Sequence, residues 1–423
     1  MTVSSPGIAG NAHRQDAWQR CSQWLAALPK PHFTLLMLAA LLLTRVGLFF
    51  LVFQVLKIPP QGDVADYYYP EACNALHGLL PNQDYHSSYS HCFSFIAALP
   101  VLCWHSPKSL ILFAILLELG ALPLWISIGE AIFGRVASYQ ATLLYVFNPL
   151  CLVNTAVFGT NQVWLAFFLA LALYAQVRKN TFLSGLALGA GLMAVKILGA
   201  LFIPALAMAA PKKLRWAAGF LLPVCLVIGA GLLLGMDVLL PLKTESHRHT
   251  SGNLPFLLSL AGVHPTAGWL HWLSYLVLTI VLILLFAQVY RQRLHTDLRA
   301  VMYSLALTMF LFMLISSKSF TGYLVIALFP ICLCLCALWR SRWLPFVFIL
   351  WSTVALCETS LWYRLIGRGD LHLPAPPNTG LFLLIEMVLI AGYLGYIRFI
   401  WQKGVCTLAA SSSPQLPRGC SVE

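Results

Sequence analysis

Charge is what this chain has least of. Only 9% of its 423 residues are Asp, Glu, Lys or Arg, against about a quarter in soluble globular proteins. That shortage excludes a water-soluble enzyme of two domains, the reading that length alone would favour. Acids are the scarcer sign: 14 Asp and Glu against 26 Lys and Arg give a formal net charge of +12. The excess is no nucleic-acid footprint, because the basic residues are scattered in short clusters between apolar runs. The 12 cysteines lack the paired C-x-x-C spacing of a metal site. Most, such as Cys332, Cys334 and Cys336, lie in apolar runs as small hydrophobes. A cleavable signal is not expected either, since about thirty polar residues precede the first apolar run and make it a retained span.

What is abundant is apolar: 60% of the residues are hydrophobic. Runs approaching the ~20 residues needed to cross a bilayer fall near 33–57, 109–129, 136–157, 162–177, 216–240, 267–290, 299–316, 320–339, 343–362 and 379–401. The sequence predicts an all-α polytopic membrane protein of about ten full spans. The stretch 182–209 is too long for one span and carries Gly185, Gly189, Gly191, Lys196 and Pro204. It reads as two short helices that enter and return, with Lys196 near the bend, an arrangement tolerated only around a protein-enclosed or wet cavity. The stretch 91–104 is too short to cross and is expected along the outer surface or dipping in. With the N-terminus inside, 17 of the 26 Lys and Arg fall in cytoplasmic positions, as the positive-inside rule asks. The layout is a cytoplasmic segment 1–32, a transmembrane unit 33–401 and a cytoplasmic tail 402–423, in a membrane such as the bacterial inner membrane.

The outer face then holds three long loops, 58–108, 241–266 and 363–378, and most of the unusual polar residues. Loop 58–108 alone contains Asp63, Asp66, Glu71 and Asp84. Long loops on one face of a rigid helical scaffold are where a site is built. In Gly62-Asp63-Val64-Ala65-Asp66-Tyr67-Tyr68-Tyr69-Pro70, two carboxylates at a membrane interface suit a general base, or a cation given a third ligand. A solvated turn or an acidic helix N-terminus accounts for the same pair.

The order of features around that pair is more specific. Asp63 directly after the first span, Tyr68-Tyr69, Ala72, Gly78, Pro81 and Tyr89 resemble the first loop of the GT-C superfamily of membrane-embedded glycosyltransferases. That superfamily includes the bacterial polyprenyl-phosphate-mannose transferases and the first mannosyltransferase of GPI-anchor synthesis, which the loop resembles. A second block follows in the family's order: Phe147-Asn148-Pro149-Leu150, Phe158-Gly159-Thr160-Asn161-Gln162, Gly185 to Gly191, and Ala194-Val195-Lys196-Ile197 leading to Pro204. The resemblance covers roughly residues 40 to 210. Beyond that it is confined to layout and to the run Ser316 to Tyr323. Val163-Trp164 stands where the family often has an acid, and Ser90-His91 where a Pro-Pro is expected.

The resemblance implies inverting transfer of a hexose, usually mannose, from a polyprenyl-phosphate donor to a lipid or glycan hydroxyl on the outer face. Such transfer needs a base for the attacking hydroxyl, which points to Asp63, with Asp66 as the alternative. It also needs cations where the departing phosphate gathers charge. Lys196, deep in an apolar stretch and thus functional by default, Lys243 and Arg248 in the run 243–249, and Lys318 are the candidates. Tyr68, Tyr69, Asp84 and His249 are the expected sugar and acceptor contacts. The run 243–249 also suits anchoring to anionic lipid head groups. No His-x-x-x-His spacing supports a metal, and a divalent cation is not required. Arg45 either pairs with Glu118 or lines a path for the lipid phosphate. Glu358 and Glu386 are expected to snorkel from span ends, and a disulfide among Cys73, Cys92 and Cys103 is conceivable in an oxidising compartment. Two other readings use the same residues: a transporter or flippase for a lipid-linked sugar, and a polysaccharide ligase or polymerase that relies on Arg248 and His249.

Overall fold

The computed structural model describes residues 24, 27–241, 250–260, 268–339, 341, 343–361 and 378–412. Among these the chain is helical throughout, with one isolated bridge, Pro81 to Tyr85, and no strand. The first half runs through α1 (Lys30–Phe50), α2 (Tyr69–Leu76), α3 (Phe93–Cys103), α4 (Pro107–Phe133), α5 (Arg135–Val146), α6 (Pro149–Ala156), α7 (Gln162–Val177), α8 (Thr181–Ala194), α9 (Ile203–Ala209) and α10 (Lys213–Leu233). The second comprises α11 (Leu254–Leu260), α12 (Gly268–Arg291), α13 (Leu298–Ile315), α14 (Leu328–Leu338), α15 (Leu344–Leu361), α16 (Asn378–Phe399) and α17 (Thr407–Ser412). Seven helices are long and apolar enough to cross a membrane, or eight with one bent pair counted as a span. This is an all-α polytopic membrane protein, with fewer full-length spans among the described residues than the ten expected.

Two of the missing spans have physical explanations. The run 136–157 is not one helix but α5 and α6, bent by 53°. Pro149 has no N–H to continue the ladder, and Asn148 caps the new helix by accepting from the Leu150 N–H at 3.0 Å. The carbonyl of Val146 at the break is taken by Arg45, which donates to it at 2.7 Å. Arg45 is otherwise a buried fork on Glu118, at 3.1 and 2.8 Å, and Cys151 adds a thiol donor to the same carboxylate at 3.2 Å. Of the two roles open to Arg45, the structure shows the pair, joining α1, α4 and the α5–α6 break. The run 162–177 is the second case: it forms α7, whose 16 residues are short of a full crossing.

The stretch 182–209 breaks at Val195 and Lys196, as its composition suggested. Helix α8 packs on α10 backbone to backbone. A Cβ on Gly185 would lie 2.1 Å from the Trp216 carbonyl oxygen, and one on Gly189 would lie 2.4 Å from that of Phe220. Small residues allow such approach in membrane helices. Residues 185 and 189 match 216–220 and 220–223 in the same direction, so α8 and α10 are parallel. The intervening 3-10 segment Ile197–Phe202 and α9 must therefore return toward the end where α8 began.

Within loop 58–108, the short stretch 91–104 forms α3, which buries Phe93, Ser94, Ala97, Ala98 and Val101 and exposes Phe95, Leu99 and Leu102. Cys73, Cys92 and Cys103 are free thiols, so the conceivable disulfide is absent.

Candidate active site

The last turn of α1 widens into the π-helical segment Leu51–Val55, and a second π turn, Val64–Tyr68, follows Asp63 and leads into α2. Gly62 starts that turn with φ +70°, a left-handed conformation suited to glycine. Its carbonyl accepts from the Ala65 and Asp66 N–H groups at 3.0 and 2.9 Å. A π turn aligns residues five apart. Tyr68 accordingly comes back over Asp63, its hydroxyl donating to Oδ2 at 3.4 Å. The same hydroxyl accepts from the Asn161 N–H at 3.4 Å, joining the first loop to the turn before α7.

Aromatic rings wall this point. The fully buried Tyr68 meets Tyr89 and Phe93 edge-on, with centroids 5.2 and 5.0 Å apart. Phe93 in turn packs on Trp164 at 5.3 Å. Trp164, where an acid is usual in the resembled family, is thus part of the aromatic wall. Burial and the neighbouring Asp63 push the Tyr68 and Tyr89 phenols well above their usual range, so both remain protonated.

Two lysines reach the same place from distant parts of the chain. Lys196, extended at the break after α8, donates to the Tyr323 hydroxyl at 3.0 Å. Its ammonium lies 5.0 Å from the Tyr323 ring centroid and 5.8 Å from that of Tyr89. Lys318 lies in the turn between α13 and the 3-10 segment Thr321–Ala327 and is 5% exposed. Burial, then repulsion from Lys196, opposes its charge, and Asp63 favours it; the result is a pKa pushed down to about 6. Lys318 therefore feels the charges of both Lys196 and Asp63, although 122 and 255 residues separate it from them in the chain. The arrangement can accept a proton at one carboxylate and hold an anion at two amines.

The other expected residues are placed differently. Asp66 lies on the same π turn as Tyr68 and is exposed. Tyr69 turns away to His105, ring centroids 5.6 Å apart. Asp84 closes a local turn by accepting from the Leu80 N–H at 2.7 Å. Lys243, Arg248 and His249 lie outside the described residues.

Glu71 is the carboxylate that sequence reasoning passed over. It is buried beside the aromatic wall, where Oε2 accepts from Ser87 and Ser94, each at 2.9 Å. Burial outweighs those two hydroxyls and pushes its pKa up to about 7. Glu358 and Glu386 also differ from expectation. Neither snorkels: they are 3% and 0% exposed, because both accept hydrogen bonds from the segment at 250–253. Among the described residues there is no group of three or more His, Cys, Asp or Glu that could hold a metal ion.

The described fold and site define a polytopic membrane protein with a carboxylate and two amines gathered at the ends of its helices. No family model matches the chain, and no curated protein matches it. A solved structure that does match is the apo form of the oligosaccharyltransferase of Archaeoglobus fulgidus, at 12% identity and a TM-score of 0.43. The match covers 90% of this chain and 56% of that one, so the present chain spans little more than half the length of that protein.

Proposed function

We propose that this chain is an integral-membrane glycosyltransferase that moves a sugar from a polyprenyl-phosphate carrier to an acceptor hydroxyl. The observation that carries the reading is the convergence of Asp63, Lys196 and Lys318 around Tyr68, Tyr89 and Tyr323. In the reaction, the acceptor oxygen attacks the anomeric carbon while Asp63 takes its proton. The bond from that carbon to the phosphate oxygen breaks, its electron pair leaves with the polyprenyl phosphate, and the anomeric configuration inverts. Lys196 stabilises the growing phosphate charge in a site of low dielectric, and Lys318, mostly neutral at pH 7 in the free chain, takes up a proton as the anion arrives beside it. Tyr68, held between Asp63 and the Asn161 N–H, keeps the carboxylate aimed. Mannose is the favoured sugar and the outer face the favoured side, both from the family resemblance. Asp66, on the same turn, is the alternative base.

The test is transfer from radiolabelled polyprenyl-phosphate sugars by the purified chain in detergent. Asp63→Asn is expected to lower turnover by at least ~100-fold, the scale of a lost general base, with insertion and thermal stability unchanged. Full turnover in Asp63→Asn with loss in Asp66→Asn moves the base to the second carboxylate. The absence of a new glycosidic bond with every donor favours transport of the lipid-linked sugar instead.

A further inference from the structure

Behind the Lys318 turn stand two buried carboxylates with no part in the chemistry above. Glu358 comes from α15 and Glu386 from α16, and both converge on the four residues Thr250 to Asn253. Ser251 donates its hydroxyl to Glu358, and the Gly252 N–H donates to Glu386 at 2.8 Å. Gly252 has φ +77°, and a Cβ there would sit 3.6 Å from the Glu358 carboxyl carbon, so the backbone threads between the two acids. Glu358 also accepts from the Thr321 hydroxyl at 3.2 Å, which ties it to the Lys318 side of the fold. The same four residues are bonded to both neighbours of Lys318. The Thr250 N–H donates to the Ser317 carbonyl at 3.0 Å, and the Ser319 N–H donates to the Thr250 hydroxyl at 2.9 Å.

Two acids buried on adjacent helices are costly to keep in an apolar setting, yet here each has a defined donor. In sequence, Thr250 directly follows the run 243–249 that carries Lys243 and Arg248. We infer that Glu358 and Glu386 are positioning residues for the anion site: they clamp 250–253 to the turn that bears Lys318 and so fix this lysine in place. The inference deepens the phosphate-site reading of the previous section and rests on it. It assigns to two residues outside the reacting cluster control over how tightly the phosphate end of the donor is held.

The experiment is equilibrium binding of a polyprenyl phosphate, without sugar, to the full chain in detergent micelles. Glu358→Ala and Glu386→Ala are expected to weaken binding at least tenfold, since each leaves a buried donor without its acceptor. Glu358→Gln and Glu386→Gln keep a carbonyl acceptor and are expected to return to within about threefold of wild type. In turnover assays, the alanine chains show a raised donor KM, and kcat falls with it to the extent that Lys318 no longer meets the growing phosphate charge. Should the alanine chains fail to fold, Ser251→Ala, which removes only the donor to Glu358, is expected to weaken binding by at least about threefold. Glu130→Gln, at the far Lys30–Glu130 pair, serves as the control. Binding at wild-type strength in the alanine chains or in Ser251→Ala, or a fall in kcat at constant donor KM, overturns the inference alone. A wild-type chain that does not bind the probe, or that Lys318→Met leaves equally tight, overturns the phosphate reading and this inference with it.

Discussion

Replacing Lys318 by methionine should make the protein more stable and less able to bind its donor. The side chain is 5% exposed, and burial lowers its pKa from 10.5 to about 6. At pH 7 the unfolded chain carries a proton on this amine and the folded chain mostly does not. Folding must therefore strip a proton from a group that ordinarily holds it until pH 10.5, a cost of about 5 kcal/mol at 1.36 kcal/mol per tenfold change. Methionine has similar length and no charge, so Lys318→Met removes at most that cost and should raise the thermal midpoint by several degrees. The sign of the pH dependence is fixed as well. Between pH 6 and 10.5 the unfolded state binds more protons, so wild-type stability rises with pH across that window. The advantage of methionine is largest at or below pH 6 and vanishes near pH 10.5. Thermal unfolding in detergent at pH 6, 8 and 10, alongside polyprenyl-phosphate binding, reads both effects. A midpoint that falls on substitution at pH 7, or a gain that does not shrink with pH, would refute the reasoning. The expected pattern is a stability cost kept for function.

Three further outcomes follow from buried contacts. Arg45→Met removes the buried fork on Glu118 between α1 and α4 and should cost about 3–5 kcal/mol, read as thermal stability, with most of it regained in the Arg45→Met, Glu118→Met double variant. Glu71, raised from 4.5 to about 7, contributes stability through its proton that is full below pH 4.5 and lost as pH rises through 7. Glu71→Gln should flatten that slope in unfolding scans, and an unchanged slope would show that Glu71 is not its source. Gly189→Val places a side chain against the Phe220 carbonyl and should sharply reduce the yield of folded chain, whereas Gly47→Val, where a Cβ meets nothing within 4 Å, should be neutral.

The class of fold could be read from hydropathy because membrane spans announce themselves locally, residue by residue. Asp63 and Lys196 were legible for a related reason: each is a charge out of place, one directly after a span and one inside an apolar stretch. Their common connection to Lys318 and the tyrosines was not legible. It depends on a π turn, on the return of residues 197–209 and on the Tyr323 hydroxyl, all features of packing rather than of composition. Glu71 looked like one more acid in a polar loop, and only Ser87 and Ser94, 16 and 23 residues away, make it a buried one. Glu358 and Glu386 stand near the ends of apolar runs, where a carboxylate ordinarily reaches water. Their burial is imposed by Ser251 and Gly252, more than 100 residues earlier. At 136–157 the proline was visible, but hydropathy averages over a bend and reads a broken helix as a straight one.

The parallel pairing of α8 and α10 has a consequence for how the chain is made. Between them lie six residues of 3-10 helix and seven of α-helix, which together rise about 22 Å, short of the ~30 Å hydrocarbon core. A segment so short is a poor candidate for independent insertion as it leaves the ribosome. It is expected to reach its place once α10 has been synthesised and has met the glycine face of α8. Biogenesis of this protein is thus expected to include a late rearrangement, in which the stretch carrying Lys196 is drawn into the bundle after the helices on either side of it are already in the membrane. Chains stalled before residue 213 would then present Lys196 outside its final setting.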